Sequence, residues 1–161
     1  MNIDCCDLTI SLSKEVIFIF KKYIQNDAKK PESGGVLTGK IYENLVDILN
    51  CSEPSHLDKR SRYNYNRSHK SAQKYINEKF EESGGEEIYL GEWHTHPEDI
   101  PSPSCTDVKS FNKTLNKNKL NSDIHFMIII GITHLYIGIY FNKKFTCGIT
   151  RTIPLNTPNH N

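Results

Sequence analysis

Residues 91 to 107 read GEWHTHPEDIPSPSCTD: one threonine separates two histidines, and ten residues separate the second histidine from an aspartate. Side chains two apart on a strand point to the same face, so His94 and His96 are predicted to lie side by side. Ser104 and Asp107 share one face of the helix predicted to follow. The proline-rich loop can turn the chain back, and Asp107 would then meet both histidines. Two imidazole nitrogens and one carboxylate oxygen make a three-ligand zinc site with an open fourth position.

A zinc site of this kind predicts hydrolytic chemistry. Zinc lowers the pKa of a bound water toward ~7, which makes hydroxide available near neutral pH. The reaction also needs a general base within reach of the water and a hydrogen-bond donor for the charge that develops on a carbonyl under attack. The sequence therefore has to supply a carboxylate and a donor close to the two histidines.

The apolar pattern around this stretch predicts an α+β (α/β) fold, in which about three helices flank a mixed, curled sheet. Helices are expected over about four turns from Ser13 to Ala28, from near Ser68 to the glycines at 84–85, and from Ser104 to about Asn116. The apolar run Phe126–Ile132 is far too short to span a bilayer and is predicted to be a buried strand. The predicted strands are Val36–Ile41, Leu45–Cys51, residues 86–96, Ile124–Ile130, His134–Phe141 and residues 143–155.

Residues 55 to 70, SHLDKRSRYNYNRSHK, form a basic segment that contains two tyrosines. Its first half shows neither helical nor strand periodicity, which favours a long loop. Arg60, Arg62 and Arg67 are expected to contact the substrate. Binding of single-stranded nucleic acid by charge and stacking, or a merely solvated insertion, are the alternative interpretations.

The overall composition gives little support to several classes of function. The 161 residues include 20 lysines and arginines and 19 aspartates and glutamates, a formal net charge of +1. This balance gives no argument for nucleic acid or an anionic membrane as a partner. The five cysteines are odd in number and include no CxxC pair, which favours a reducing compartment. The N-terminal residues do not form a signal peptide, so a cytoplasmic location is expected.

The motifs HTHP and SCTD together resemble the JAMM signature of the MPN (JAB/Mov34) metalloprotease family, H-[ST]-H-P-x(6)-S-x(2)-D. In the segment PESGGVLTGKI, Glu32 matches the family's glutamate before a glycine-rich strand. The resemblance covers nearly the whole chain and is greatest to bacterial JAB proteins, including deconjugating peptidases of anti-phage CBASS-type operons and relatives on integrative elements. It implies the MPN/JAB fold, with a JAB/MPN metalloprotease domain over residues 1–154 and a polar tail over 155–161.

The resemblance also implies the roles of five residues. His94, His96 and Asp107 would hold Zn²⁺. Glu32 would be the general base that afterwards delivers the proton to the leaving amine. Ser104 would help to stabilise the oxyanion, although it is also a good helix N-cap and its hydroxyl can serve only some of these demands at once.

Residue types alone leave some alternatives open. Glu92 shares the strand face of the two histidines and is a rival base, as are Glu98 and Asp99. Cys105 is expected to be a buried or half-exposed thiol rather than a ligand. Other neighbours are expected to have structural roles: Trp93 in the core, Thr95 with at most a supporting role, and His125 and His134 as hydrogen-bonded histidines in apolar strands.

Three functions compete on this basis. The first is a zinc isopeptidase that removes a ubiquitin-like modifier or a conjugated signalling enzyme from a target, with E1-like or E2-like operon partners and strand addition of the substrate tail. The second is a non-catalytic scaffold, although scaffold members usually lack the ligands present here. The third is a nucleic-acid-associated role, which only the basic segment supports. A zinc nucleobase deaminase is excluded, because the P-C-x-x-C motif is absent.

Overall fold

The computed structural model describes residues 1–5 and 7–154, so the predicted tail at 155–161 lies outside the described residues. The described elements are, in chain order, β1 (Asn2–Cys5), β2 (Leu8–Leu12), α1 (Lys14–Tyr23), β3 (Gly34–Ile41), β4 (Leu45–Cys51), β5 (Lys59–Ser61), β6 (Asn64–Asn66), α2 (His69–Glu82), β7 (Ile88–Thr95), α3 (Cys105–Lys117), β8 (Ile124–Ile130), β9 (His134–Phe141) and β10 (Lys144–Thr152). None of the helices in this part of the chain has the length and apolar character needed to cross a membrane.

One mixed sheet of eight strands dominates the fold, in the order β1-β2-β4-β3-β7-β8-β9-β10. The pairs β2–β4 and β7–β8 are parallel, and the other neighbours are antiparallel. The sheet curls until its first and last strands approach each other, with the Sγ atoms of Cys5 and Cys147 3.5 Å apart. The predicted α+β fold, a mixed curled sheet with three helices, is therefore confirmed.

Strand β8 is buried on both faces, as its continuous apolar sequence predicts. One face contributes to a larger core shared with α1, and the other contributes to a smaller core beneath α3. Residues of β8 alternate between these cores: Phe126, Ile128 and Ile130 belong to the first, whereas Met127 and Ile129 belong to the second. This double packing fixes β8, and with it the parallel neighbour β7, which carries His94 and Thr95 of the HTH motif.

The first helix is shorter than predicted, because α1 ends at Tyr23 and not at Ala28. Beyond it, the buried side chain of Gln25 donates to the carbonyls of Lys30 (3.2 Å) and Arg62 (2.9 Å). These tertiary hydrogen bonds override local helical preference. Residues 25–33 instead form a connecting segment, here called the strap, which leads into β3.

Two further expectations differ from the structure. Residues 59–66 are not a loop: β5 and β6 form a small antiparallel hairpin, in which Arg60 pairs with Tyr65. The N-terminal strands β1 and β2 were not predicted either. Such short strands show too little alternation to be recognised by period. The helix start at Ser68 is confirmed, since its hydroxyl accepts the Ser71 amide and caps α2.

Gly34 on β3 and Gly91 on β7 allow neighbouring parts of the chain to approach closely, because glycine has no Cβ atom. A Cβ atom at Gly91, where φ is +145°, would lie 1.9 Å from the carbonyl oxygen of Phe126 on β8. A Cβ at Gly34 would lie 2.5 Å from the ring of Tyr65, whose hydroxyl donates to the Gly34 carbonyl (2.8 Å). The hairpin therefore packs directly on the start of β3, beside the strap.

The two strand histidines have different surroundings. His134 is hydrogen-bonded as expected, with Nδ1 2.8 Å from Thr133 Oγ1 and Nε2 3.3 Å from Thr152 Oγ1. His125 is fully buried, and within the described residues neither of its ring nitrogens has a hydrogen-bond partner, so that expectation was wrong. Burial, with a smaller contribution from the positive charge of Lys143, lowers the pKa of His125 to about 4, and Asp123 opposes the shift.

The His125 side chain should make folding stability dependent on pH. Because its folded pKa is depressed, its contribution is full above the unfolded pKa of about 6.5 and is lost as the pH falls through about 4. We expect this residue to reduce the free energy of unfolding by about 2 kcal/mol between about pH 7 and about pH 5. His125→Phe should remove this part of the pH dependence. The measurement is urea unfolding of the wild type and the variant, with chelator present in both samples. An unchanged pH dependence in His125→Phe would contradict this assignment.

Candidate metal centre

Three segments bring together the side chains of the HTH motif, the first turn of α3 and the strap. Nε2 of His94 lies 3.1 Å from Nε2 of His96. The carboxylate of Asp107 spans both rings, with Oδ1 3.3 Å from His94 Nε2 and Oδ2 3.4 Å from His96 Nε2. All three side chains are largely buried, with exposed fractions of 13%, 14% and 16% in that order. The structure therefore places the three predicted ligands in contact.

Glu32 approaches the same two histidines from the strap. Within the described residues, its carboxylate and the two imidazoles each offer a ligand atom within 4.8 Å of the others. The backbone explains this position, because the β3–β7 register pairs Gly34 with His94. Continuing that antiparallel pairing by two residues brings Glu32 alongside His96. The predicted base thus lies at the same site as the predicted ligands.

The spacing of these donors fits a zinc ion. Tetrahedral zinc with Zn–N and Zn–O bonds of about 2.0–2.1 Å keeps its ligand atoms about 3.3 Å apart. The three closest separations among His94, His96 and Asp107 are 3.1, 3.3 and 3.4 Å. Glu32 is an alternative third ligand, because its carboxylate and the two imidazoles offer ligand atoms that all lie within 4.8 Å of one another.

The two carboxylates have opposite electrostatic surroundings. Burial alone would raise the pKa of Asp107, but hydrogen bonds from His94, His96 and Ser104 hold that pKa well below its usual range. Burial raises the pKa of Glu32, and the charge of Asp107 adds to this effect while the two histidines oppose it. For His96, burial lowers the pKa, but the hydrogen bond and charge of Asp107, together with the charges of Glu32 and Glu98, outweigh it and the net direction is upward.

Ser104 is the N-cap of α3, which was one of the two roles expected from the sequence. Its hydroxyl accepts the Asp107 amide (3.1 Å), and its own amide donates to Asp107 Oδ2 (2.7 Å), which completes a capping box. The cap uses only a lone pair of the hydroxyl, so the hydroxyl hydrogen remains available to donate. Cys105, which follows, is exposed and not buried or half-exposed as expected.

The rival carboxylates are engaged elsewhere or lie outside the cluster. Glu92 forms an ion pair with Arg67 and accepts a long hydrogen bond from Tyr89 (3.5 Å). Glu98 is half-exposed, with Oε2 3.8 Å from Nδ1 of His96, on the ring edge away from the other ligands. The Asp99 backbone carbonyl accepts from the β8–β9 turn, which anchors the proline-rich loop. The geometry therefore favours Glu32 over its rivals.

A cavity of about 390 Å³ opens beside the site. Its walls include Glu32, His94 and Asp107 together with Tyr65 and Arg67 from the hairpin region. The hairpin thus forms one side of the cleft in which a substrate would meet the cluster.

The arginines of the basic segment bind the chain itself. Arg60 Nε donates to the Glu32 carbonyl (2.9 Å), and a second Arg60 nitrogen contacts the Ser33 hydroxyl. Arg62 donates to the Asp27 carbonyl (2.9 Å), and Arg67 pairs with Glu92. The expected contact of these arginines with the substrate stays a prediction. In the structure, Arg60 and Arg62 hold the strap, and these internal contacts weaken the case for nucleic-acid binding.

Trp93 and Thr95 lie on the face of β7 opposite to the histidines. Trp93 is buried in the larger core as predicted, with Nε1 donating to the Ser52 carbonyl (3.0 Å). Thr95 is fully buried, and its hydroxyl bonds both to Gln25 (2.9 Å) and to the Ser33 amide (2.9 Å). Sequence reasoning missed Gln25, because nothing in its local sequence indicates that an amide after a helix will be buried.

Residues 23–142 match the family described as prokaryotic homologs of the JAB domain. The match spans most of the chain, and the protein belongs to this family. A protein from Escherichia coli named CD-NTase/cGAS isopeptidase is 35% identical over 136 residues, which cover 84% of this chain and 85% of that protein. Proteins of the same name from Vibrio cholerae and Pseudomonas aeruginosa are 35% and 31% identical, over 84% and 81% of this chain and 84% and 82% of theirs.

A solved structure agrees with the fold. The solution structure of protein DSY2949 from Desulfitobacterium hafniense superposes with a TM-score of 0.58, covering 85% of this chain and 88% of that one at 16% sequence identity. This likeness supports the architecture alone. The names of the three relatives, by contrast, support hydrolase activity of the isopeptidase kind for this chain.

Proposed function

We propose that the protein is a zinc-dependent isopeptidase that hydrolyses the amide joining the C-terminus of one protein to a lysine of another. The observation that carries the proposal is the convergence of Glu32, His94, His96 and Asp107 from three separate segments into one cluster. Such a cluster, partly buried and beside a cleft, has the composition of a hydrolytic metal centre with a carboxylate base.

His94, His96 and Asp107 would hold the metal. Zn²⁺ bound there would supply Lewis acidity toward the scissile carbonyl and favour a nucleophilic water near neutral pH. The capping box orients Asp107 for this role: the Ser104 amide occupies Oδ2 at 2.7 Å, which leaves Oδ1 the less engaged oxygen. A fixed carboxylate of this kind lowers the cost of assembling the ligand set.

Glu32 would move the protons. Its carboxylate accepts a proton from the attacking water, whose oxygen bonds to the carbonyl carbon, and later gives that proton to the lysine nitrogen as the C–N bond breaks. The products are a free carboxylate and a free amine. Ser104 keeps its hydroxyl hydrogen and would donate it to the oxygen that becomes negative during the attack. These are the roles that the motif resemblance implies for Glu32 and Ser104.

The names of the relatives suggest the substrate class. They act, by name, on CD-NTase/cGAS proteins, and we propose a conjugated nucleotidyltransferase of that class as the protein substrate here. Its extended C-terminal residues would enter the cleft between α3 and the hairpin. Removal of such a conjugate would give the protein a part in a bacterial anti-phage conjugation system, in which E1-like and E2-like proteins would be partners in the cytoplasm.

Metal removal tests the proposal directly. The purified protein should carry about one zinc per chain, as a three-ligand site requires. A chelator should reduce cleavage of a CD-NTase–lysine isopeptide conjugate to the rate seen without enzyme, and added zinc should restore it. Mass spectrometry of the products should show a free C-terminal carboxylate. Cleavage that persists in fully metal-free protein would contradict the zinc mechanism.

A further inference from the structure

A chain of buried hydrogen bonds runs from the HTH motif to the strap. Thr95, between the two histidines, points into the protein and is 0% exposed, and Gln25 is 1% exposed. The Thr95 hydroxyl donates to Gln25 Oε1 (2.9 Å) and accepts the Ser33 amide (2.9 Å). Gln25 Nε2 then donates to the Lys30 and Arg62 carbonyls. Every polar atom of these two side chains is thereby satisfied inside the fold.

This network holds the backbone of Glu32, the proposed base, through hydrogen bonds to β7 on one side and to the hairpin on the other. Ser33 is bonded twice to Thr95, since the Thr95 amide also donates to the Ser33 carbonyl (2.8 Å). The Glu32 amide donates to the Ser61 carbonyl on the hairpin (2.7 Å), and its carbonyl accepts from Arg60. Gln25 joins the two sides, because it bonds to Thr95 and to the hairpin turn.

We propose that Thr95 and Gln25 are positioning residues that set the location of the Glu32 carboxylate relative to the two histidines. This inference rests on the proposed function, because it assigns the network a purpose in the reaction. The geometry gives the reason. Successive side chains of one strand point to opposite faces. The HTH segment therefore presents two histidines to the cleft and the Thr95 hydroxyl to the strap behind it.

Removal of one member should disturb the others. A buried donor or acceptor that loses its partner bears its full desolvation penalty, so the segment tends to shift until water or another group satisfies it. Residues 25–33 lie in neither a helix nor a strand, so the position of the strap depends on the hydrogen bonds described above. The carboxylate of Glu32 would then move relative to the histidines.

A matched pair of substitutions isolates the Thr95 hydroxyl. Thr95→Val keeps the branched shape and loses both hydrogen bonds, whereas Thr95→Ser keeps the hydroxyl and loses only a methyl group. We expect Thr95→Val to lower kcat by about 10–100-fold, the usual effect of losing a group that orients a site, with KM and zinc content unchanged. Thr95→Ser should retain most of the activity, and Gln25→Leu should resemble Thr95→Val.

Thr38→Val is the control for general loss of a buried hydroxyl. Thr38 is also 0% exposed on the same strand pair, and its hydroxyl donates to Glu87 (2.5 Å) at the far end from the site. This variant should lower the melting temperature without lowering kcat. A fall in kcat with Thr38→Val equal to that of Thr95→Val would overturn the inference.

A measurement that does not depend on activity tests whether Thr95 and Gln25 hold the strap in place. The Ser33 amide should exchange slowly with solvent in the wild type, and Thr95→Val and Gln25→Leu should accelerate that exchange more than Thr38→Val does, measured by NMR. In a Glu32→Gln background, Thr95→Val should cause little further loss of activity, since its effect is exerted through Glu32. Unchanged Ser33 exchange, or additive losses in the double variant, would overturn the inference. A wild type that cleaves no conjugate defeats the proposed function instead, and the exchange result still stands.

Discussion

Glu32→Gln should leave the protein folded and zinc-loaded while it lowers kcat by roughly 10²–10⁴-fold. The substitution preserves size and hydrogen-bonding shape, but an amide cannot take the proton from the attacking water. The buried position of Glu32, 7% exposed beside His94 and His96, means that no bulk water can replace the lost base efficiently. Cleavage of the conjugate should be followed with zinc measured in parallel, and the uncleaved conjugate should still bind.

Glu92→Gln is the matched comparison for Glu32→Gln. Glu92 lies on the cleft side of β7 and was a rival base on the sequence alone, but the structure pairs it with Arg67. Its loss should weaken an ion pair and leave most of kcat. If Glu92→Gln were inactive and Glu32→Gln active, with zinc present in both, the base would have been misassigned although the metal site stands. If neither variant lost activity, the hydrolase mechanism itself would be wrong.

His96→Ala should have the second large effect, the loss of most of the bound zinc and of cleavage down to the uncatalysed level. The ring lies within 3.1 Å of His94 and 3.4 Å of Asp107, so its removal leaves two donors where a catalytic zinc needs three. Zinc content should be measured by elemental analysis after dialysis, and folding by circular dichroism.

His134→Ala is the control for the loss of a histidine. His134 bonds Thr133 and Thr152 at the end of β9 and is not part of the cluster. It should keep zinc and activity, with at most a modest fall in stability. If His96→Ala retained a full equivalent of zinc, the ligand set would have to be revised, with Glu32 the first candidate to replace it.

Much of the fold could be predicted from the sequence, because long periodic segments decide it. The bounds of β4, β8 and β9 were predicted to the residue, and α3 begins after Ser104 as its capping pattern indicates. The elements that were missed are short, such as β5 and β6, or depend on distant partners. The end of α1 is the clearest case: its local pattern continues to Ala28, but the buried hydrogen bonds of Gln25 end the helix earlier.

Part of the candidate site could also be predicted from the sequence, and part could not. The side-by-side placement of His94 and His96 follows from strand alternation, and the approach of Asp107 follows from a helix that begins just after a turn. The position of Glu32 could not be derived from spacing, since it depends on the β3–β7 register. The partners of Arg60 and Thr95 could not be derived either, because each bond joins residues far apart in the chain.

The attachment of the β5–β6 hairpin to the strap limits how freely the enzyme's selectivity can be redesigned. In many proteins, a surface hairpin beside a cleft can be replaced by another hairpin so that the cleft accepts a new substrate. Here Arg60 and Ser61 also form hydrogen bonds with the backbone of Glu32. A grafted hairpin that lacked those two contacts would therefore change substrate recognition and the catalytic rate together. Successful grafts should be those that keep both contacts and vary the outward tip around Tyr63, which is 77% exposed.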